Sequence, residues 1–286
     1  MRRFIVARLS LALCVACSSG GAGPDRVLLA ATHTVEDSGL LEPLVAGFSA
    51  AHPEYVLQVS VSGTGQALAV ARQGDADVLL THSPQDERTF MEEGYGAARR
   101  EVMESEFVLL GPSGDPAGVA GVRDVGEAFR RIAASGATFV SRGDESGTHR
   151  KEQSIWDELG VRPAAGAYIE AGVGMADALR IADQRRAYIL SDRPTFLVLR
   201  ESLDMAVVSE GDTRLLNPYA VIVVRDAFNP QGARAFMDWI TGPEGQSLIR
   251  DYGGAAWRGG LFRPAADPAA DTGRVASTRT NHRHAG

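Results

Sequence analysis

The chain has 286 residues, 44% of them hydrophobic and 23% charged, which excludes wholesale disorder and leaves room for one large domain or two smaller ones. Its formal net charge is −7, a sign that argues against a nucleic-acid partner. Lys151 is the only lysine, so nearly all of the positive charge is arginine.

Residues 1–16 predict an export signal. Arg2, Arg3 and Arg8 form a basic head, Leu9 to Ala16 is an apolar run broken only by Ser10, and small residues follow. Val15-Ala16-Cys17 resembles the lipobox of bacterial lipoproteins, with Cys14 where that motif usually has Leu, Val or Ile. Acylation of Cys17 would anchor the protein to a membrane, with 17–25 as a flexible Ser/Gly tether; the alternative is a plain secretory signal with an incidental cysteine. Cys14 and Cys17 are the only cysteines, so the body has none for a structural disulfide. Without the three leader arginines, 26 basic side chains stand against 36 acidic ones, a net charge near −10. That field repels anions, although salt screens exposed charges beyond about 8 Å, so an anionic ligand would have to be held by local geometry. No later stretch reaches the roughly 18 consecutive apolar residues of a spanning helix, and the mature chain is expected to be soluble.

The body opens with a short apolar strand, Arg26 to Ala31, and a polar loop, Thr32-His33-Thr34-Val35-Glu36-Asp37-Ser38-Gly39. Leu40, Leu41, Leu44, Val45 and Phe48 then recur at helical spacing, with Asp37 or Ser38 as the expected N-cap. The unit repeats: Tyr55 to Val61 alternates as a strand, Ser62-Gly63-Thr64-Gly65-Gln66 is a loop, and a helix begins at Ala67. Asp77 to Thr81 is a buried strand that leads through His82-Ser83-Pro84 into a helix carrying Phe90 and Met91. Strands alternating with helices predict an α/β fold with a parallel, doubly wound sheet and ligands at the carboxyl ends of its strands. After Glu106 to Pro112 a second unit starts. It comprises a helix near Asp124 to Ala134, a strand Ala137 to Val140, the loop Ser141-Arg142-Gly143-Asp144-Glu145-Ser146-Gly147-Thr148-His149, and a helix through Ile155, Trp156 and Leu159. Gly172-Val173-Gly174-Met175 precedes another helix, Ala176 to Asp183. Ala187 to Leu190 and Phe196 to Leu199 are predicted strand-like, Asn217 to Val224 is a strongly β-forming run that returns to the first unit, and helices follow near Gln231 to Ile240 and Glu244 to Arg250. Beyond Pro264 the residues are small, polar and without period, so 265–286 is predicted to be a disordered tail.

The Arg142 loop places a permanent cation among glycines and hydroxyls just before a helix. Helix N-termini expose unpaired N–H groups and the positive end of the dipole, glycines let backbone approach a ligand, and guanidinium offers several donors in a fixed fork. The loops at Thr32-His33-Thr34, Gly63-Thr64-Gly65-Gln66 and Gly172-Val173-Gly174-Met175 also stand at predicted helix starts. Taken singly, each fits ordinary turn-and-cap chemistry; four together point to an anion.

Thr64-Gly65-Gln66-Ala67-Leu68, Gly74 to Leu80, Glu93-Gly94-Tyr95-Gly96, Ser141-Arg142-Gly143-Asp144 with Ser146-Gly147-Thr148-His149, and Asn217-Pro218-Tyr219 closely resemble the tungstate-binding component of bacterial tungstate ABC transporters, in that family's order and spacing from about Leu29 to Ile249. The resemblance implies a two-lobed periplasmic-binding-protein fold (type II-like), each lobe a doubly wound sheet flanked by helices, with lobe 1 formed by 26–110 plus 220–264 and lobe 2 by 111–219. It implies an exported, extracytoplasmic protein that binds tungstate, and molybdate as a second candidate, with no cofactor and no catalysis. The partners it implies are an ABC transporter permease and, through Cys17, the membrane, with the protein itself a monomer. Thr32, Thr34, Thr64, Gly65, Arg142, Ser146, Gly147 and Thr148 are the contacts it carries over, with Gly174 at the fourth loop. The family's threonine/serine-rich stretch reads Ala31-Thr32-His33-Thr34-Val35 here. The imidazole of His33 either donates to the anion or caps the helix.

These groups are donors, which suits a fully deprotonated tungstate or molybdate; monohydrogen phosphate carries a proton that needs an acceptor. Asp144 and Glu145 could supply one, but are expected to face water and load the helix N-terminus. An enzyme built on Ser146, His149 and His82 is the rival class. The sequence has no Gly-x-Ser-x-Gly elbow and no His-Glu-x-x-His motif, and both histidines are expected to pack or cap. No direct cation site is predicted. A sensor using the same cleft is indistinguishable by sequence.

Overall fold

The computed structural model describes residues 24–253 and 261–265. The predicted leader, Cys17, residues 17–23 of the expected tether and 266–286 of the expected tail lie outside them. The chain runs β1 (Asp25–Thr32), α1 (His33–Asp37), α2 (Leu41–Ala51), β2 (Tyr55–Ser62), α3 (Thr64–Arg72), β3 (Val78–Thr81), α4 (Pro84–Glu92) and the long β4 (Gly96–Pro112). A second unit holds α5 (Val125–Ser135), β5 (Phe139–Ser141), α6 (Gly147–Leu159), β6 (Tyr168–Glu170), α7 (Met175–Arg185), β7 (Tyr188–Asp192), α8 (Arg193–Leu199) and β8 (Met205–Ser209). Then β9 (Leu216–Val224), α9 (Pro230–Ile240), α10 (Pro243–Asp251) and β10 (Arg263–Pro264) return to the first.

The strand order is β2-β1-β3-β9-β4-β7-β5-β6, with β8 and β10 paired to β4. The expected parallel core is present in both units, β2-β1-β3 and β7-β5-β6. Each sheet is mixed rather than all-parallel, because β9 runs antiparallel to β3 and β4, and β4 antiparallel to β7. β4 pairs with β9 up to Glu106 and with β7 from Phe107, so one strand feeds both sheets.

Both faces of each sheet are covered, which explains the continuous apolar runs. In the first, Leu29, Leu80 and Val221 enter one core with Phe48 and Phe236, while Ala30, Leu79 and Ile222 enter the opposite core with Leu68 and Phe90. In the second, Phe107, Phe139 and Tyr188 pack with Phe129 and Trp156, and Val108, Val140 and Ile189 pack with Leu179 and Phe196. This is period-two alternation between two buried faces.

Three local expectations need correction. Phe196 to Leu199 is helical, not strand-like: Asp192 accepts a hydrogen bond from Thr195 N at 2.9 Å and Pro194 sits in the first turn, so cap and proline override the β-forming side chains. The polar loop after β1 is instead the short helix α1. Ser38 lies at its C-terminus, its hydroxyl donating to Val35 O at 2.8 Å, and Leu40 rather than Asp37 or Ser38 is the N-cap of α2. Asp25 belongs to β1, not to the tether.

Candidate functional site

The four predicted loops lie at the carboxyl ends of the parallel strands β1, β2, β5 and β6, where α1, α3, α6 and α7 begin. α1, α3 and α7 have no side-chain cap; only α6 has one, Ser146 Oγ accepting from His149 N at 3.3 Å. At these three helix starts the cap residue itself satisfies no first-turn N–H group, an arrangement that suits an anion.

Loops of the first unit touch those of the second. A Cβ on Gly65 would lie 3.2 Å from Glu145 O, and one on Gly147 would lie 2.8 Å from the His82 ring and 2.9 Å from His82 O. At both positions glycine allows one backbone to approach the other unit. Gly174 has the His33 ring as its nearest neighbour, at 3.9 Å from where its Cβ would be, and Ala176 N donates to Asp37 Oδ2 at 3.4 Å.

Arg142, at the end of β5, is 2% exposed. Its Nε donates to Val173 O at 3.3 Å and its Nη2 to Asp144. These bonds take two of the five guanidinium N–H groups. Thr32, Thr34, Thr64, Ser146 and Thr148 are all buried. Thr64 Oγ1, Thr148 Oγ1 and His33 Nδ1 are buried with no hydrogen-bond partner in the protein. An unsatisfied buried polar group costs roughly 1–3 kcal/mol, and these two hydroxyls come from opposite units. Their simplest common partner is a guest that accepts hydrogen bonds.

Asp144 departs from its expected position. Instead of facing water it accepts from Arg142 and, through Oδ1, from Ser146 N at 3.2 Å, because the left-handed Glu145 (φ 58°) folds the loop back onto the guanidinium. Glu145 itself is exposed and pairs with Arg150.

Burial dominates the electrostatics. The His82 pKa is lowered to about 4 by burial, partly opposed by its hydrogen bond to Asn217. Burial raises the Asp37 carboxyl against the Ala176 N–H, His33 and Arg142, and pushes Asp192 up to about 6. The nucleophile–base pair that the rival enzyme reading would need is not seen between Ser146 and His149. Ser146 meets the main-chain N–H of His149 rather than its ring, and His149 Nδ1 accepts from Glu145 N at 3.1 Å. Among the described residues no group of three or more His, Cys, Asp or Glu could hold a metal ion, and no helix is long and apolar enough to cross a membrane. A cleft of roughly 400 Å³ bounded by Glu106, Arg123, Arg193, Ser209 and Glu210 shares no residue with the predicted set, and its Arg193 is already paired with Glu106 and Glu210.

Sequence reasoning brought the ten predicted residues to one region but missed the groups that orient them. Asn217 was visible only as part of a motif, and His82 and Asp37 only as single polar residues near strand or helix ends.

A profile of the PBP superfamily domain matches residues 18–244. The tungstate-binding protein TupA of Peptoclostridium acidaminophilum is 40% identical over 84% of this chain and 86% of its own. Among solved structures, the tungstate ABC transporter protein of Geobacter sulfurreducens superposes with a TM-score of 0.72 at 39% identity, covering 79% of this chain and 98% of that one. TupA of Desulfovibrio alaskensis G20 gives 0.70 at 34% identity, covering 85% and 100%.

Proposed function

The chain belongs to the PBP superfamily and, within it, to the tungstate-binding proteins of ABC transporters, and from that premise we propose that it holds tungstate between its two units, around Arg142. It is an extracytoplasmic solute-binding protein that captures the oxyanion and delivers it to an ABC transporter. The observations that carry the site are the burial of Arg142, the buried and unpartnered hydroxyls of Thr64 and Thr148, one from each unit, and the close approach of their loops at Gly65 and Gly147. Tungstate and molybdate are dianions that only accept hydrogen bonds, and burying one is tolerable only where its oxygens are fully bonded.

In this assignment Arg142 supplies charge, and Thr64, Thr148, Thr32, Thr34 and Ser146 supply hydroxyls. The N-termini of α3, α6 and α7, with Gly65, Gly147 and Gly174, supply N–H groups, and His33 gives a further donor from α1. Every contact is to oxygen; none is to the metal. Asp144, which pairs with Arg142, is displaced from part of the guanidinium on binding. We take the lobes as 26–110 plus 220–264 and 111–219, which the change of sheet between Glu106 and Phe107 supports to within a few residues. Closure about the β4 and β9 crossings clamps the ligand. Acylation at Cys17, release of 1–16, anchoring through the segment that follows, action as a monomer and docking on a permease complete the proposal.

Calorimetry with tungstate, molybdate, sulfate and phosphate tests it. Tungstate is expected to bind most tightly or level with molybdate; tighter binding of phosphate would retire the assignment.

A further inference from the structure

His82 lies outside the predicted ligand set, yet it anchors two members of it. Thr32 Oγ1 and Thr34 Oγ1 are 3.0 Å apart, Thr34 Oγ1 is 3.0 Å from His82 Nε2, and His82 Nδ1 is 2.9 Å from Asn217 Oδ1. Asn217 Nδ2 in turn donates to Ser105 Oγ at 3.1 Å and to Tyr219 OH at 3.0 Å. The ring is 3% exposed and stacked on Tyr219 at 4.9 Å, with Gly147 of α6 against its edge. It is wedged; only its protons can move.

The polarity of this string follows from its partners. Facing an amide oxygen, Nδ1 carries the ring proton, and burial keeps the ring neutral. Nε2 is then a bare lone pair that takes the proton of Thr34, whose oxygen takes the proton of Thr32. In that state Thr34 has nothing to donate to an oxyanion. The opposite polarity is also available, at the cost of one Asn217 N–H without a partner. If the Asn217 amide turns, Nδ2 donates to Nδ1, Nε2–H donates to Thr34, and Ser105 and Tyr219, being hydroxyls, donate to Asn217 Oδ1 instead of accepting. The ring gives its Nδ1 proton to water and takes one from water at Nε2, so its charge does not change, and both threonine hydroxyls are released as donors.

We infer that His82, with Asn217, is a positioning residue of the oxyanion site that reverses this hydrogen-bond string when an acceptor-only anion enters. The inference rests on the assignment of Thr32 and Thr34 to the site. Arg142 and Asp144 are the charged groups that act on the ring, both from the second unit.

The test is ¹⁵N NMR of the full chain labelled at histidine, near neutral pH, with and without tungstate, alongside calorimetry of His82→Phe and His82→Gln. One histidine is expected to change from Nδ1–H to a form protonated at Nε2 on binding. His82→Phe is expected to weaken tungstate binding by about three- to tenfold, the scale of one lost neutral hydrogen bond, the one that orients Thr34, and His82→Gln, whose amide can still donate to Thr34, to recover most of it. A bare Nε2 in the complex, or wild-type affinity in His82→Phe, overturns the inference. If the variants do not fold, the wild-type spectra decide alone. Absence of any tungstate binding by the wild type overturns the underlying assignment, whereas binding with an unchanged tautomer overturns only the role of His82.

Discussion

Gly147→Ala probes the seam between the two units. The added methyl would stand 2.8 Å from His82 Cε1, 2.9 Å from Nδ1 and 2.9 Å from the main-chain oxygen of His82. None of these can give way cheaply: the ring is pinned by Thr34, Asn217 and Tyr219, and the oxygen is backbone. Relief must come from moving α6 away from the β3 end of the first sheet, which is the direction of opening. Overpacking of this kind costs roughly 1–3 kcal/mol, and it falls on the arrangement in which the two loops meet, which the proposed function takes as the closed one. At about 1.4 kcal/mol per factor of ten, tungstate affinity should fall roughly five- to 150-fold. Calorimetry gives the affinity, and thermal unfolding without ligand should be unchanged, because an open protein has room for the methyl. Gly65→Ala, with a single 3.2 Å approach to Glu145 O, should have a smaller effect of the same kind. Wild-type affinity in Gly147→Ala, or a loss of ligand-free stability large enough to explain weak binding, would refute the reasoning.

Arg142→Ala should weaken tungstate binding by at least about tenfold, since hydrogen bonds to charged groups contribute roughly 1.5–3 kcal/mol; unchanged affinity by calorimetry would remove Arg142 from the site. Thr148→Val and Thr64→Val remove buried hydroxyls that have no protein partner. Each should leave ligand-free stability equal or higher in denaturant unfolding, while affinity falls. Glu152, in the α6 core contact with Trp156 and Tyr168, has its pKa raised to about 7 by burial. The folded state therefore holds a proton that the unfolded chain releases near the ordinary carboxyl value. This stabilisation is fully present below that value and is lost as pH rises to about 7, by roughly 2–4 kcal/mol. Glu152→Gln should flatten the slope in unfolding measured from acidic to neutral pH, and an unchanged slope would show that Glu152 is not its source.

The positions of the four loops were more legible in the sequence than the sheet was. The loops at Thr32, Gly63, Arg142 and Gly172 were readable because each pairs a buried strand with a helix start, and only backbone geometry is needed to bring strand ends together. The mixed sheet was not readable. The first half of β4 holds Arg99, Arg100, Glu101 and Glu104, which suggest a solvated loop until Arg99 meets buried Glu87, Arg100 meets Asp238 and Glu104 meets Arg263. Those partners lie far apart in sequence, and no local pattern announces them. β6 is three residues long, too short for a period to emerge. Asp144 was misplaced because its position depends on the left-handed Glu145, a conformation that a non-glycine residue does not advertise. His82 looked like a packing residue, and it does pack on Tyr219, but its bonds to Thr34 and Asn217 join residues 48 and 135 positions away.

Anomalous diffraction at a tungsten absorption edge, from crystals of the protein grown with tungstate, bears most directly on where the anion sits. A single strong peak one tungsten–oxygen bond beyond hydrogen-bonding reach of the Arg142 guanidinium, flanked by Thr64 and Thr148, is the predicted result. A peak in the Arg193 cleft instead, or none beside Arg142 in a crystal whose protein binds tungstate in solution, would contradict it.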